Sequence, residues 1–481
     1  MLGANELPLR QVFGLCPKRL YGALVSPARR PVPVRRKISR LTQYFSKDAV
    51  FQWRGIPQPG QLLPLGLQHV VAAVVGVITP AILVADTCGL SSADKTLMIQ
   101  VSLILTALAT LLQLFPIFHR IGSGLPVIMG ISFAYIPTLQ AIGGEFGLPT
   151  ILGAEIVGGI VAIVFGVLVK WIRPLFPPLV TGTVIFTIGL SLYPTAVKYM
   201  AGGAGSEWFG SAKSWAVALI TLAVVVFLNH FTKGITKLAS ILIGILAGYV
   251  IAYFLGIVDL SGVGSAAWVA LPRPMPFDIQ FVPAACVSLG IVYVVNAVQT
   301  IGDLSSTTMG GMDRMPTDKE LSGGIVGQGV MSILGAFFGG LPAATYSQNV
   351  GIVTVNRVIN RAVFALAALI LLVAGLVPKF ASLLTTIPQC VIGGATISVF
   401  ATITMTGIRM ITEGGFTPRK SSVVGLSVAL GVGITQVSGC LAGEGFPAWV
   451  NTVFGSSSVV VAALMAILLN LILPKEPSAN G

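Results

Sequence analysis

Apolar and polar residues fall into blocks along this chain. They show neither the two-residue period of a strand nor the stripe of a surface helix. From Leu65 onward, near-continuous apolar runs alternate with short polar breaks. A helix that crosses a bilayer needs about 20 apolar residues. In lipid every backbone N–H and C=O must find a partner inside the protein, which makes a helix the natural form of each run. Fourteen runs can be drawn: 65–85, 96–115, 125–143, 150–170, 178–195, 213–228, 238–256, 281–302, 323–340, 343–358, 362–378, 389–408, 422–438 and 449–473. Twelve or thirteen are the alternatives, because several boundaries are soft. The pattern predicts an all-α polytopic membrane protein of about fourteen spans.

Charge tests the count. With a cytosolic N-terminus, every even-numbered loop should be cytosolic and rich in Lys and Arg. Those loops hold Arg120, Lys170, Arg173, Lys233, Lys237, Arg314, Lys319, Arg357, Arg361, Arg409, Arg419 and Lys420, twelve in all. The odd loops hold five: Lys95, Lys198, Lys213, Arg273 and Lys379. A span missed midway would reverse the bias beyond it, so fourteen spans with both termini cytoplasmic fits best.

Composition agrees. The chain of 481 residues is 54% hydrophobic and 9% charged, against about 25% charged in soluble domains. Glycine (56 residues) and proline (29) are abundant, as close-packed and broken spanning helices require. The net charge of +13 does not point to nucleic acid, because +9 of it lies in residues 1–60. That basic segment, with its Ser26–Arg36 run, reads as a weakly ordered cytosolic tail that sets topology, with binding of anionic lipid at the inner leaflet as a secondary alternative. An organelle transit peptide and a start codon assigned too early are the other readings. Cys16, Cys88, Cys286, Cys390 and Cys440 form no CxxC pair, and His69, His119 and His230 have no metal-ligand spacing. No cofactor or metal is expected. An enzyme fits poorly, since no nucleophile–base pair, P-loop or dinucleotide fingerprint is present.

Fourteen divides into seven plus seven, and an odd number of spans per half gives inverted repeats. Solute sites then lie at matching Gly/Pro-interrupted segments of the two halves. Spans 3 and 10 match. One opens Gly124-Leu-Pro126 and reaches Ser132-Phe133; the other opens Gly340-Leu-Pro342 and reaches Gln348-Asn349. Both read as short strands leading into half-helices, with Val127-Ile128 and Val353-Thr354-Val355 as the extended residues. Two half-helix N-termini near the midplane would aim N–H groups at a solute.

Polar residues inside spans are functional candidates by default. Span 8 carries Asn296, Gln299 and Asp303, with Gln299 sharing a face with both of the others. Span 1 carries Gln68-His69, span 4 Glu155 and span 9 Gln328. Structural readings stand beside these: His69 as a cap of span 1, Gln328 as an interhelical hydrogen-bonder, and Glu155 as a paired carboxylate between close-packed glycines.

Together these residues resemble the nucleobase–ascorbate transporter (nucleobase:cation symporter-2) family. Its span 10 signature, Q-N-x-G-x-x-x-x-T-[R/K/G], is matched by Gln348-Asn349-Val-Gly351-Ile-Val-Thr-Val-Asn356-Arg357, with Asn356 for threonine. Its Gln-His of span 1 is matched by Gln68-His69, and its span 3 element by Gly124 to Phe133. Its span 8 element, E-[S/T/A]-[I/V]-G-D, is matched by Gln299-Thr-Ile-Gly302-Asp303, with glutamine for glutamate. The resemblance runs from about Phe51 to Pro474.

The resemblance implies a core domain of spans 1–4 (61–178) and 8–11 (279–380), and a gate domain of spans 5–7 (179–258) and 12–14 (381–475). It implies that Gln299, Gln348 and Phe133 touch solute, with Ser132, Asn349 and His69 completing or ordering the pocket. Glutamine opening the span 10 signature is similar to xanthine and uric acid carriers. It implies cation symport, with proton ahead of sodium, in a bacterial inner (plasma) membrane, and a homodimer joined through gate domains. Relatives also carry an acid where Gln328 stands. With Gln299 and Gln328 neutral, the group that changes charge becomes Asp303, Glu155 or His69, or the coupling differs. The alternatives are a carrier of another nucleobase with sodium or no coupling, and an anion transporter of similar seven-plus-seven design.

Overall fold

Long apolar helices dominate the computed structural model, which describes residues 45–474 apart from 119, 173–175, 261–262, 265, 438 and 456. The basic stretch 1–44 with Cys16, and also His119 and Arg173, lie outside the described residues. The main helices are α1 (Pro59–Thr87), α2 (Ser92–Leu114), α3 (Ile136–Phe146), α4 (Leu148–Val167), α5 (Pro178–Met200), α6 (Ala212–Phe231), α7 (Ser240–Phe254) and α8 (Pro283–Met312). They continue with α9 (Asp318–Phe338), α10 (Ser347–Asn356), α11 (Arg361–Gly375), α12 (Pro378–Thr385), α13 (Gln389–Thr412), α14 (Pro418–Gln436) and α15 (Ser458–Ile472). Their starts follow local chemistry. Ser91, Ser211 and Thr417 accept a backbone N–H of the first turn, and Thr317 forms a capping box with Glu320. Proline opens α1, α5, α8 and α14, where its missing N–H costs nothing.

Among the described residues, eight helices are long and apolar enough to cross a membrane, and α11 with α12, bent by 79°, makes a ninth. The sequence expectation of fourteen is larger than this number, and the segments that make up the difference differ from the eight in identifiable ways. Spans 3 and 10 are broken, α7 and α15 are 15 residues long, and α14 carries Arg419, Lys420 and several serines and glycines.

The broken segments meet. β1 (Met129–Ile131) and β2 (Ala343–Thr345) pair antiparallel, with Met129 opposite Thr345 and Ile131 opposite Ala343. The extended backbone of span 10 therefore precedes the residues chosen for it from sequence: Val353-Thr354-Val355 form the last turn of α10. Strand preference of β-branched residues is a packing preference, and Val353 finds its packing in the helix, 1% exposed. Pro342 instead keeps Leu341 out of the helical region and leads the chain into β2.

Helices α1, α2, α4, α8, α9 and α11 pack among themselves and around the strands, while α5, α6, α7, α13, α14 and α15 form a second group. Glycines set the closest approaches. Gly407 of α13 lies against the Phe186 backbone of α5, and Gly158 of α4 lies under the Tyr293 ring of α8. Residues 45–57 are folded rather than tail-like. Asn360 Nδ2 donates to the carbonyls of Ala49 (2.8 Å), Gln52 (3.0 Å) and Gly55 (3.2 Å), and Ala49 and Val50 are buried.

Candidate functional site

A cavity of about 500 Å³ lies between the two helix groups. One wall comes from Ile131 to Ala134 after β1, from Gln299, Gly302, Asp303 and Ser306 of α8, and from Thr345 to Gln348. The other comes from Thr181, Ile185 and Ile188 of α5 and from Val399, Thr402, Ile403, Thr406 and Met410 of α13, with Glu413 just beyond. Both chain breaks are thus used: the β1–β2 pair ends where each segment turns into helix, and each turn points polar residues into the same space.

Asp303 is held by hydroxyls. It accepts from Thr345 Oγ1 (2.6 Å) and from Ser347 Oγ (2.8 and 3.0 Å to its two oxygens). The same Ser347 Oγ accepts from Gln299 Nε2 (3.3 Å). Among the described residues, Gln299 Oε1 is left without a donor at the cavity. The Gln348 side chain is exposed at the wall. No side chain caps α10, so N–H groups of its first turn stand at the same place. Phe133 meets Phe400 edge-on at 5.3 Å, and Ser132 Oγ caps the turn beneath it by accepting from Ala134 N (3.1 Å). Tyr346 supports the floor. Its ring fills the space that side chains would take at Gly76 of α1 and Gly130 of β1, so neither position has room for a Cβ.

His69 and Asn349 lie behind this wall and do not line the cavity. Asn349 Nδ2 donates to the His69 carbonyl (3.0 Å) and sits 3.1 Å from His69 Nδ1, tying α10 to α1. His69 is 1% exposed, its ring tilted against that of Phe364 with centroids 4.5 Å apart, so it is buried rather than set at an interface. Gln68 beside it is half-buried. Gln328 is an interhelical hydrogen-bonder: Nε2 donates to Tyr135 Oη (3.1 Å) and Asn296 Oδ1 (2.6 Å), and Oε1 accepts from Thr300 Oγ1 (2.7 Å). Glu155, expected as a paired carboxylate, is fully buried opposite Gly335 and Leu105, and among the described residues neither oxygen has a hydrogen-bond partner. No group of three or more metal-ligating side chains occurs among the described residues.

Sequence reasoning missed Thr345 and Ser347, the partners of Asp303, and the whole opposite wall. Thr345 and Ser347 sit in the segment from Gly340 to Asn349, three residues and one residue before Gln348. Only the packing of α8 against that segment reveals them as carboxylate ligands.

A permease family profile matches residues 60–439. The xanthine permease of Bacillus subtilis (strain 168) is 35% identical over 421 residues, covering 86% of this chain and 94% of that protein. The uric acid permease PucK of the same organism is 35% identical over 433 residues, covering 87% and 97%. Among solved structures, the transmembrane domain of a cyanobacterial bicarbonate transporter, BicA, aligns with a TM-score of 0.53 over 85% of this chain and 98% of that one. Its 16% identity makes that a likeness of fold alone. With a profile match across most of its length and such relatives beside it, the chain belongs to the nucleobase–ascorbate transporter family of permeases.

Proposed function

We propose that this permease carries an oxidised purine, xanthine or uric acid, across a bacterial cytoplasmic membrane. The observation that carries the reading is the convergence of Gln299, Gln348 and Phe133 on one cavity from three separate segments. An oxopurine is a flat ring edged with alternating C=O and N–H groups. Amide side chains match both kinds of edge, and an aromatic face matches the ring. The cavity falls within the usual 300–1,000 Å³ range for small-molecule sites. The names of the bacterial relatives support the same solute class.

In this reading the chain has fourteen segments in two inverted sets of seven, with α3 and α10 as the half-helices. The group around α8 and the strands is the core that holds solute, and the group around α5 and α13 is the gate. The cavity mouth at Thr406, Met410 and Glu413 lies at the end carrying the Lys- and Arg-rich loops, which the charge bias assigns to the cytoplasm. Asp303 is the coupling group. As a carboxylate it accepts a hydrogen bond from the Ser347 hydroxyl and leaves the Ser347 lone pairs for Gln299. Protonation changes what Ser347 offers to Gln299, so cation and solute are felt through one hydroxyl.

The test is uptake of radiolabelled xanthine by cells without purine carriers of their own. Saturable uptake displaced by uric acid but not by uracil, and collapsed by a protonophore, is expected. Absence of xanthine uptake by cells shown to insert the protein would overturn the solute; uptake indifferent to the protonophore would overturn the proton.

A further inference from the structure

At the end of the molecule opposite the cavity mouth, one carboxylate joins the two helix groups. Asp86 ends α1, in the helix group that carries the solute-facing amides. Lys95 of α2, in the same group, donates to its Oδ1. The other group supplies two more donors to Oδ2: Tyr199 Oη at the end of α5 (3.0 Å) and Gln389 Nε2 at the start of α13 (2.6 Å). A second bridge runs alongside. Gln140 of α3 donates to Thr87 Oγ1 (3.1 Å) and accepts from Thr195 Oγ1 of α5 (3.2 Å). Beyond these contacts lies a cavity of about 950 Å³ with Asp86, Lys95 and Gln389 in its wall. The residues at the opposite mouth, Thr402, Thr406 and Glu413, stand exposed.

We propose that Asp86 is the latch of this end, and that release of Tyr199 and Gln389 must precede exposure of the solute cavity there. The chemistry suits a reversible lock. A charged acceptor makes stronger hydrogen bonds than a neutral one, so the two bonds to Asp86 add to the Gln140 bridge in joining the helix groups at this end. When the gate donors leave, Lys95 stays with the carboxylate, and the adjoining cavity can hydrate what they vacate. An apolar seal would have no such substitute. The inference rests on the proposed exchange between the two helix groups, and not on which solute is carried.

The chain holds its own reporter. Cys390, next to Gln389, borders the same outer cavity yet is 1% exposed while the latch is shut. In one full-length background Cys390 is the sole cysteine; in a second, Ser306→Cys at the other mouth is the sole one. Both are labelled with maleimides in membranes without solute. Asp86→Ala should speed labelling at Cys390 about tenfold, as expected when a minor state is freed, and should slow labelling at the Ser306→Cys position. Tyr199→Phe, which removes one hydroxyl, should move both rates the same way by less. Unchanged rates would overturn the latch. So would a rise at both positions, which marks a loosened fold. Because solute is absent from the assay, failure of the xanthine assignment leaves this result readable.

Discussion

Helix α8 carries two polar faces that differ in fate. Asn296, which its spacing had put on one face with Gln299, turns inward with Thr300 instead, and Gln328 joins both to Tyr135 in a buried set of hydrogen bonds, with Asn296 Nδ2 left without a partner among the described residues. Gln299 and Asp303 turn toward the cavity, where the hydroxyls of Ser347 and Thr345 satisfy part of their capacity. The same kinds of side chain, one turn apart, thus do different work. A buried amide whose partners are all protein groups fixes the packing of helices. An amide with a free lone pair beside an open space can be completed only by solute or water. Residue type does not separate the two cases; what lies opposite does.

Substitutions on the two faces should therefore separate transport from stability. The largest effect is expected at Asp303. Asp303→Ala should cut xanthine uptake at least about 100-fold, since charged hydrogen-bond acceptors count for about 1.5–3 kcal/mol per bond, with the protein still present in the membrane by immunoblot. If Asp303→Asn retains uptake that a protonophore abolishes, the coupling group is elsewhere, and fully buried Glu155 is the next to replace. On the inward face, Gln328→Leu strands Tyr135 Oη and Asn296 Oδ1, while Thr300 Oγ1 keeps the Asn296 carbonyl. A loss of about 2–4 kcal/mol in stability follows from leaving these buried groups unpaired, read as a lower melting temperature in detergent with KM for xanthine little changed. Gln348→Ala and Gln299→Ala should each raise KM about tenfold, the equivalent of one hydrogen bond of about 1.4 kcal/mol, without lowering the melting temperature. A stability loss there, or a KM effect at Gln328, would erase the distinction between the faces. The smallest effect is expected at Arg357→Ala. Its pair with Asp313 is 3.2 Å long but exposed on both sides, and such pairs contribute about 0–1 kcal/mol. Uptake and melting temperature should both stay near those of the parent.

The long apolar helices were legible because lipid favours a backbone that satisfies itself, although eight or nine of them, not fourteen, are long and apolar enough to span among the described residues; the Gly-Leu-Pro pairs at 124 and 340 marked where the chain breaks from helix. Ser132 and Phe133 of span 3, Gln299 and Asp303 of span 8 and Gln348 of span 10 reach one cavity. Strand placement in span 10 was not legible. Extended structure there depends on a partner strand from the other half of the chain, which no local preference of Val353 or Val355 encodes. The positions of His69 and Asn349 behind the wall were hidden too, because a polar residue in a span looks the same whether it faces solute or another amide. The opposite wall was silent for a different reason: Ile185, Val399 and Ile403 are ordinary apolar residues until something faces them across a gap.

The pairing of Met129 with Thr345 joins residues more than two hundred positions apart. During synthesis β1 enters the membrane long before β2 exists, and its backbone donors and acceptors must wait at membrane depth, where each unmet group is costly. The first half is thus an unfinished object until the last third of the chain arrives. A ribosome stalled shortly before residue 343 would leave a product whose one exposed strand invites chaperones, proteases or a second copy's β2. Quality control of this permease then has a natural checkpoint: the moment at which six residues from two halves find each other.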